Sequence, residues 1–249
     1  MANTRLYIAY ESNAQDAVET NPYNEATGLV IDADRLNPDE VENPAAHVAV
    51  IHTKDPGGHA SWHEREGVMW SSDRELEVIA QMRDQWPDLQ WLPRLDIYQP
   101  EVVYQFNADS MGEGFKFYIP DTGAIQAYRT LVSDKPLESQ LTRAAALGFT
   151  TLWLHATHAD QTGKGFDLEL LDRASVGFDG EIWLSGGASD EQHLLNLTRQ
   201  GGAAAVVVSQ DFARQSGCDR LQLALTTGEE TGVPVTFDSR KVETAQRTS

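Results

Sequence analysis

Residues Glu181–Ala213 read EIWLSGGASDEQHLLNLTRQGGAAAVVVSQDFA. A strand ends on Ser185-Gly186-Gly187-Ala188. A helix follows, carrying Leu194, Leu195 and Leu197, and a second apolar strand, Ala204–Val208, ends on Ser209. Each strand-to-helix junction gathers backbone N–H groups at a helix start. Gly186 and Gly187 permit close backbone approach there, and the helix dipole favours negative charge. Two such ends side by side are how a (β/α)8 barrel holds a phosphate after its seventh and eighth strands. The stretch therefore points to a barrel and to an anionic group.

Working back along the chain, the same alternation continues. Pro136–Leu147 has the helical spacing Leu137, Leu141, Ala145, with Gly148 after its end. Thr150–Leu154 reads as a strand. Leu168–Ala174 reads as a short helix with Asp167 as its N-cap, and Asp190–Arg199 as another helix. Phe115–Ile119 reads as a strand, with Ala124–Leu131 its hairpin partner or extension around Thr122-Gly123. Strands joined to helices by short loops signal parallel βα units. The N-terminal half is less regular. Arg5–Tyr10, Gly28–Ala33, His47–His52, Leu89–Leu95 and Val102–Phe106 read as strands and Asp73–Trp86 as an amphipathic helix. Asp55–Gly67 is a loop rich in glycine and histidine. Asp219–Leu225 reads as a last helix and Val233–Phe237 as a strand. The expected organisation is one barrel over residues 1–238 with a disordered tail, 239–249.

The 249 residues suit one such barrel, and the 41% hydrophobic content suffices for a core. No apolar run reaches membrane-spanning length and no secretory leader is visible, so a cytoplasmic protein is expected. The one cysteine, Cys218, fits a reducing compartment. With 38 acidic residues against 19 basic ones the formal net charge is −19, a field that repels nucleic acids and anionic membranes. Lysine occurs only at positions 54, 116, 135, 164 and 241. An acidic, lysine-poor surface fits a halophilic, salt-adapted protein, and lysine scarcity fits a GC-rich genome equally.

With those elements placed, LGFTTLWLHATHADQTGKGFDLELL from Leu147 resembles the sixth strand and loop of the histidine-biosynthesis barrels. These are the cyclase subunit of imidazole glycerol phosphate synthase and the phosphoribosyl-formimino isomerase. Asp160, Thr162, Gly165, Phe166 and Asp167 hold the family's places, and Gln161 replaces a glycine. Ser185-Gly186-Gly187-Ala188 matches the seventh-strand loop, and Ser209 falls where the family has a serine after its eighth strand. The match runs over about residues 115–213. It implies a ribulose-phosphate-binding barrel with catalytic carboxylates after strands 1 and 5. Glu11 holds the first place, and either Asp121 or Ile119 the second. The family's second phosphate site needs glycines after strands 3 and 4, where Pro93-Arg94-Leu95-Asp96 and Asn107-Ala108-Asp109 stand. One phosphate site is therefore expected.

The phosphate-binding candidates are Asp160, Gln161, Gly186, Gly187, Ala188, Val208 and Ser209. The acid–base candidates are Glu11 and Asp121, helped by Asp160, since ring opening needs carboxyls on opposite sides of a sugar. Against these stand plain readings: glycines that pack a helix on a sheet, and carboxylates common by chance in an acidic chain. His52, His59, His63, Glu64, Glu66, His155 and His158 raise a metal-dependent hydrolase as a third reading, although their spacing matches no ligand motif, and no metal or cofactor is expected. Trp62, Trp70, Trp86 and Trp91 read as core rather than sugar-stacking residues. The leading expectation is an isomerase or lyase acting on a phosphorylated small molecule. The alternative is a non-catalytic barrel binding a phosphorylated ligand or a protein.

Overall fold

The computed structural model describes residues 4–10, 28–36, 48–100 and 127–227. Among these the strands are β1 Arg5–Tyr10, β2 Gly28–Asp32, β3 Val48–His52, β4 Met69–Ser72, β5 Gln90–Tyr98, β6 Arg129–Thr130, β7 Thr151–Ala156, β8 Glu181–Ser185 and β9 Ala205–Ser209. The α-helices are α1 Leu76–Gln85, α2 Leu137–Ala146, α3 Thr157–Thr162, α4 Leu168–Gly177, α5 Glu191–Gln200, α6 Gln210–Ser216 and α7 Cys218–Thr227. β1 pairs in parallel with β2 on one side and β9 on the other. The ladder continues through β3, β4, β5, β7 and β8 back to β9, and the β4–β5 pairing closes it. The result is a closed barrel of eight parallel strands with flanking helices, the (β/α)8 architecture expected. Among the described strands only β6 is antiparallel. It joins the end of β5 through Ile97 and Tyr98.

Strand alternation divides the apolar residues into two layers. Tyr7, Val30, Val50, Leu92, Trp153, Trp183, Ala205 and Val207 fill the barrel interior. Their outward neighbours, such as Leu6, Ile8, Leu152, Leu154, Ile182, Leu184, Val206 and Val208, pack under the helices with Leu141, Leu170, Leu194 and Leu221. Tyr7 and Trp183 stack at 4.2 Å between ring centroids, and Arg5 reaches Glu181 at 2.6 Å near the N-terminal ends of the strands.

The C-terminal half follows the sequence expectations in β7, β8, β9, α2, α4 and α5, and adds two short helices, α3 and α6, that the sequence reading did not place. Asp167 caps α4 by accepting from the Leu170 N–H, and Asp190 caps α5 by accepting from the His193 N–H. The N-terminal half differs in two respects. The fourth barrel strand is Met69–Ser72, too short to show a period of its own. The outer face between β3 and β4 is covered by a 3-10 helix, Pro56–Trp62, instead of an α-helix. It packs Trp62 against Val68 and Trp70, which makes those tryptophans core residues. The fifth barrel strand is Gln90–Tyr98. Pro93-Arg94-Leu95-Asp96 is thus not a loop after a third strand but lies inside the fifth. Pro93 falls where the β4 ladder ends and the β7 ladder begins, a place that tolerates a missing N–H. Strand five therefore ends at Tyr98. Residues 101–126, including Asp121, Ile119 and the strands read at Val102–Phe106 and Phe115–Ile119, lie outside the described residues, as do Glu11 and the segment after Thr227.

Candidate functional site: the C-terminal mouth of the barrel

In a parallel barrel, residues paired in register share a face, so each inward position extends across neighbouring strands. One such row joins Asp32 on β2 to His52 on β3 and Ser71 on β4. A second joins Asp96 on β5 to His155 on β7 and Ser185 on β8. Both rows lie near the C-terminal ends of their strands, above the interior apolar layer. Arg94, the inward residue before Asp96, completes the set.

These side chains are tied to one another. Ser185 Oγ accepts from Trp153 Nε1 at 2.8 Å and lies 2.9 Å from His155 Nδ1. With the indole N–H accepted, the serine keeps its own proton and a second lone pair for Nδ1, so the contact suits either neutral tautomer of His155. His52 Nδ1 meets the fully buried Ser71 hydroxyl at 3.2 Å. Arg94 Nε donates to Asp96 Oδ1 at 2.7 Å, and its guanidinium carbon lies 4.8 Å from the Trp153 ring centroid. His52 packs edge-on to the same tryptophan at 6.0 Å. Burial, and secondarily the Arg94 charge, hold both His52 and His155 below the ordinary histidine pKa. Asp73, Asp32 and Asp96 oppose this at His52, and Asp96 and Asp160 oppose it at His155. Both imidazoles are therefore neutral near pH 7, each fixed through Nδ1. Around them the loops after β2, β3 and β4 are laced together. Asp34 accepts from the Thr53 hydroxyl at 2.8 Å and from the Lys54 N–H at 3.1 Å, while Lys54 Nζ stands 3.6 Å from Asp73.

The phosphate candidates occupy the adjoining sector of the mouth. Gly186 and Gly187 have φ of 98° and 91°, in the left-handed region. A Cβ on Gly186 would stand 2.5 Å from the Ala156 oxygen, and one on Gly187 would stand 2.1 Å from the Gly165 oxygen. Close packing of the loop after β8 on the loop after β7 therefore requires both glycines. Gly165 N–H donates to Gly187 O at 2.8 Å, and Ser189 Oγ donates to Gly163 O at 2.6 Å. Ala188 is half-buried behind that contact, and Val208 is fully in the outer core, turned from the mouth. Ser209 is exposed and caps α6, accepting from the Phe212 N–H at 3.3 Å, so its own hydroxyl proton is available to a ligand. Asp160 and Gln161 are exposed on α3. The ladder that pairs Ser185 with Val207 brings the chain positions after them, Gly187 and Ser209, to neighbouring strand ends.

No family model matches the chain. Among solved structures, it resembles a chain in the crystal structure of the Amycolatopsis orientalis BexX/CysO complex, with a TM-score of 0.54 and 12% identity over 90% of this chain and 87% of that one. The likeness is one of fold.

The histidines singled out in the sequence separate into three places. His63 packs on Trp70 and Trp86 and meets the Pro56 carbonyl, and His59 is half-buried in the 3-10 helix. His158 bonds Asp167 at 2.8 Å outside the barrel wall, where Asp167 also accepts from the Tyr128 hydroxyl. Only His52 and His155 enter the mouth. Among the described residues no three His, Cys, Asp or Glu side chains converge as a metal site requires, so the hydrolase reading finds no centre there. Likewise, no helix among the described residues is long and apolar enough to cross a membrane. The residues that sequence reasoning missed are Arg94, Asp96 and Ser71, while Ser185 was read only as part of the loop after the seventh strand. For Arg94 and Asp96 the signal was present as a period of two: Leu92, Arg94 and Asp96 alternate with Pro93, Leu95 and Ile97.

Proposed function

We propose that this chain is an enzyme that moves a proton on a small phosphorylated carbohydrate, as an isomerase or lyase. The observation that carries the reading is the pair of neutral imidazoles, His52 and His155, fixed through Nδ1 at the mouth of a (β/α)8 barrel. A neutral imidazole N–H polarises a carbonyl without competing charge, and proton transfer beside it is the core of isomerisation and elimination. His155 Nε2–H is the electrophile in this reading. Asp96, at the end of the fifth strand, takes the carboxylate role first sought at Asp121. Glu11, the residue directly after β1, is the proposed second carboxylate, and Asp160 tunes His155 electrostatically. The phosphate sits over the loops after β8 and β9, where the Ser209 hydroxyl offers a donor. The resemblance to the histidine-biosynthesis barrels supports that seat, and the fold neighbour adds nothing to it beyond architecture. The protein is proposed to act in the cytoplasm, on a small molecule, without nucleic acid or membrane partners.

The test is a thermal-shift panel of sugar monophosphates in high potassium chloride, followed by solvent-deuterium exchange on any stabilising ligand. Saturable stabilisation and exchange of a carbon-bound proton, lost in His155→Gln, are expected. Binding without exchange would favour the non-catalytic barrel, and no binding by folded protein would overturn the reading.

A further inference from the structure

We infer that Arg94 is the receptor for a carboxylate on the ligand, seated in the floor of the barrel mouth. This rests on the reading of the mouth as the active site and adds a second anionic group to the ligand. The guanidinium commits only Nε to Asp96, and its face lies against Trp153. Among the described residues no acceptor takes a hydrogen bond from either Nη. The side chain is 21% exposed and neither Nη is a buried atom, so these open donors are accessible to a ligand. Accessible charged donors with no protein acceptor are open to a polar group of a ligand.

The neighbours decide what that is. Asp96 balances the one positive charge, and His52 and His155 add none, so a ligand anion would be held by aimed donors and not by net field. The guanidinium carbon lies over the Trp153 ring at 4.8 Å, and both Nη groups remain without a protein acceptor among the described residues. A planar carboxylate matches a guanidinium edge with two parallel N–H···O bonds. His155, the register partner of Asp96, lies on the same row of the mouth and adds a neutral polar group. The tetrahedral phosphate has its own seat at Ser209 and the loop after β8. A proton removed from the carbon next to the carboxylate would leave charge on the carboxylate oxygens, where Arg94 already is.

The experiment compares ribonate 5-phosphate with ribitol 5-phosphate, which differ only by carboxylate against hydroxymethyl, using calorimetry on the full chain. Ribonate 5-phosphate should bind about tenfold tighter or better, the worth of one charge-assisted pair. Arg94→Met should bring the ratio to about one and leave ribitol 5-phosphate unchanged, and Arg94→Lys should fall between. A ratio near one in the unaltered protein, or one that survives Arg94→Met, overturns the proposal. Free ribonate against ribitol keeps it separate from the phosphate reading. If neither phosphate ester binds, the phosphate seat is lost. Arg94 is then judged by whether ribonate alone, and not ribitol, shifts the Trp153 indole N–H resonance. Equal or absent shifts overturn the proposal, and that measurement needs no variant to fold.

Discussion

Ser185 is the direct register partner of His155, and its single hydroxyl oxygen serves both that imidazole at 2.9 Å and the Trp153 indole N–H at 2.8 Å. One small residue on β8 thus orients two large side chains on β7.

Ser185→Ala should therefore act twice. It leaves the buried Trp153 donor without a partner, costing about 1–3 kcal/mol of stability in denaturant titrations. It also removes the hydrogen-bond partner of His155 Nδ1. Nitrogen-15 spectra should show a different tautomer balance in the variant from that in the unaltered protein. An identical balance in both would show that Ser185 does not set it.

Stability should fall as pH drops below the histidine range. His52 and His155 have folded pKa values below the unfolded value of about 6.5. Above 6.5 both states are neutral and stability is complete. Below it the unfolded chain binds protons that the folded chain refuses, so stability declines as pH falls from 6.5 through the folded values. A His52→Gln/His155→Gln double variant should lose most of that slope between pH 7 and 5. An unchanged slope would place the acid sensitivity elsewhere.

Two glycine substitutions should separate backbone strain from crowding. Gly201 has φ of 78° with nothing within 4 Å of the place an alanine methyl would take, so Gly201→Ala should cost roughly 1 kcal/mol. Gly187→Ala adds a contact of 2.1 Å with backbone and should cost roughly 3 kcal/mol or more, read from the unfolding midpoint. Equal costs would mean that the loops after β7 and β8 yield easily.

Asp167 should be the most costly of the helix caps. It accepts from the Leu170 N–H at 2.9 Å, from the Tyr128 hydroxyl at 2.8 Å and from His158 at 2.8 Å. Burial and that carboxylate both push the Tyr128 pKa upward, so the phenol stays a donor. Asp167→Ala should lower stability by about 3 kcal/mol, against about 1 kcal/mol for the simpler cap in Asp190→Ala. Comparable losses in thermal melts would reduce the network to an ordinary cap.

The parts of the barrel legible in the sequence are those with self-contained signals. Asp167 and Asp190 announce helix starts, Leu194, Leu195 and Leu197 a buried stripe, and Val206–Val208 a buried strand. Met69–Ser72 carries too few residues to display alternation, and only its partners β3 and β5 make it a strand. Gln90–Tyr98 hides its end because Arg94 and Asp96 look like loop residues; they neutralise each other inside the mouth. The same two charges explain why the site was only partly visible. A carboxylate or histidine is conspicuous in sequence, but the serine that anchors it, one strand away, is not.

The loops after the sixth and seventh barrel strands are pinned to each other by Gly165–Gly187 and Gly163–Ser189. Neither can be shortened, lengthened or exchanged alone without leaving its partner's backbone groups bare. For anyone grafting new specificity onto this scaffold, Thr157 to Asp190 is a single cassette, transplanted whole or not at all.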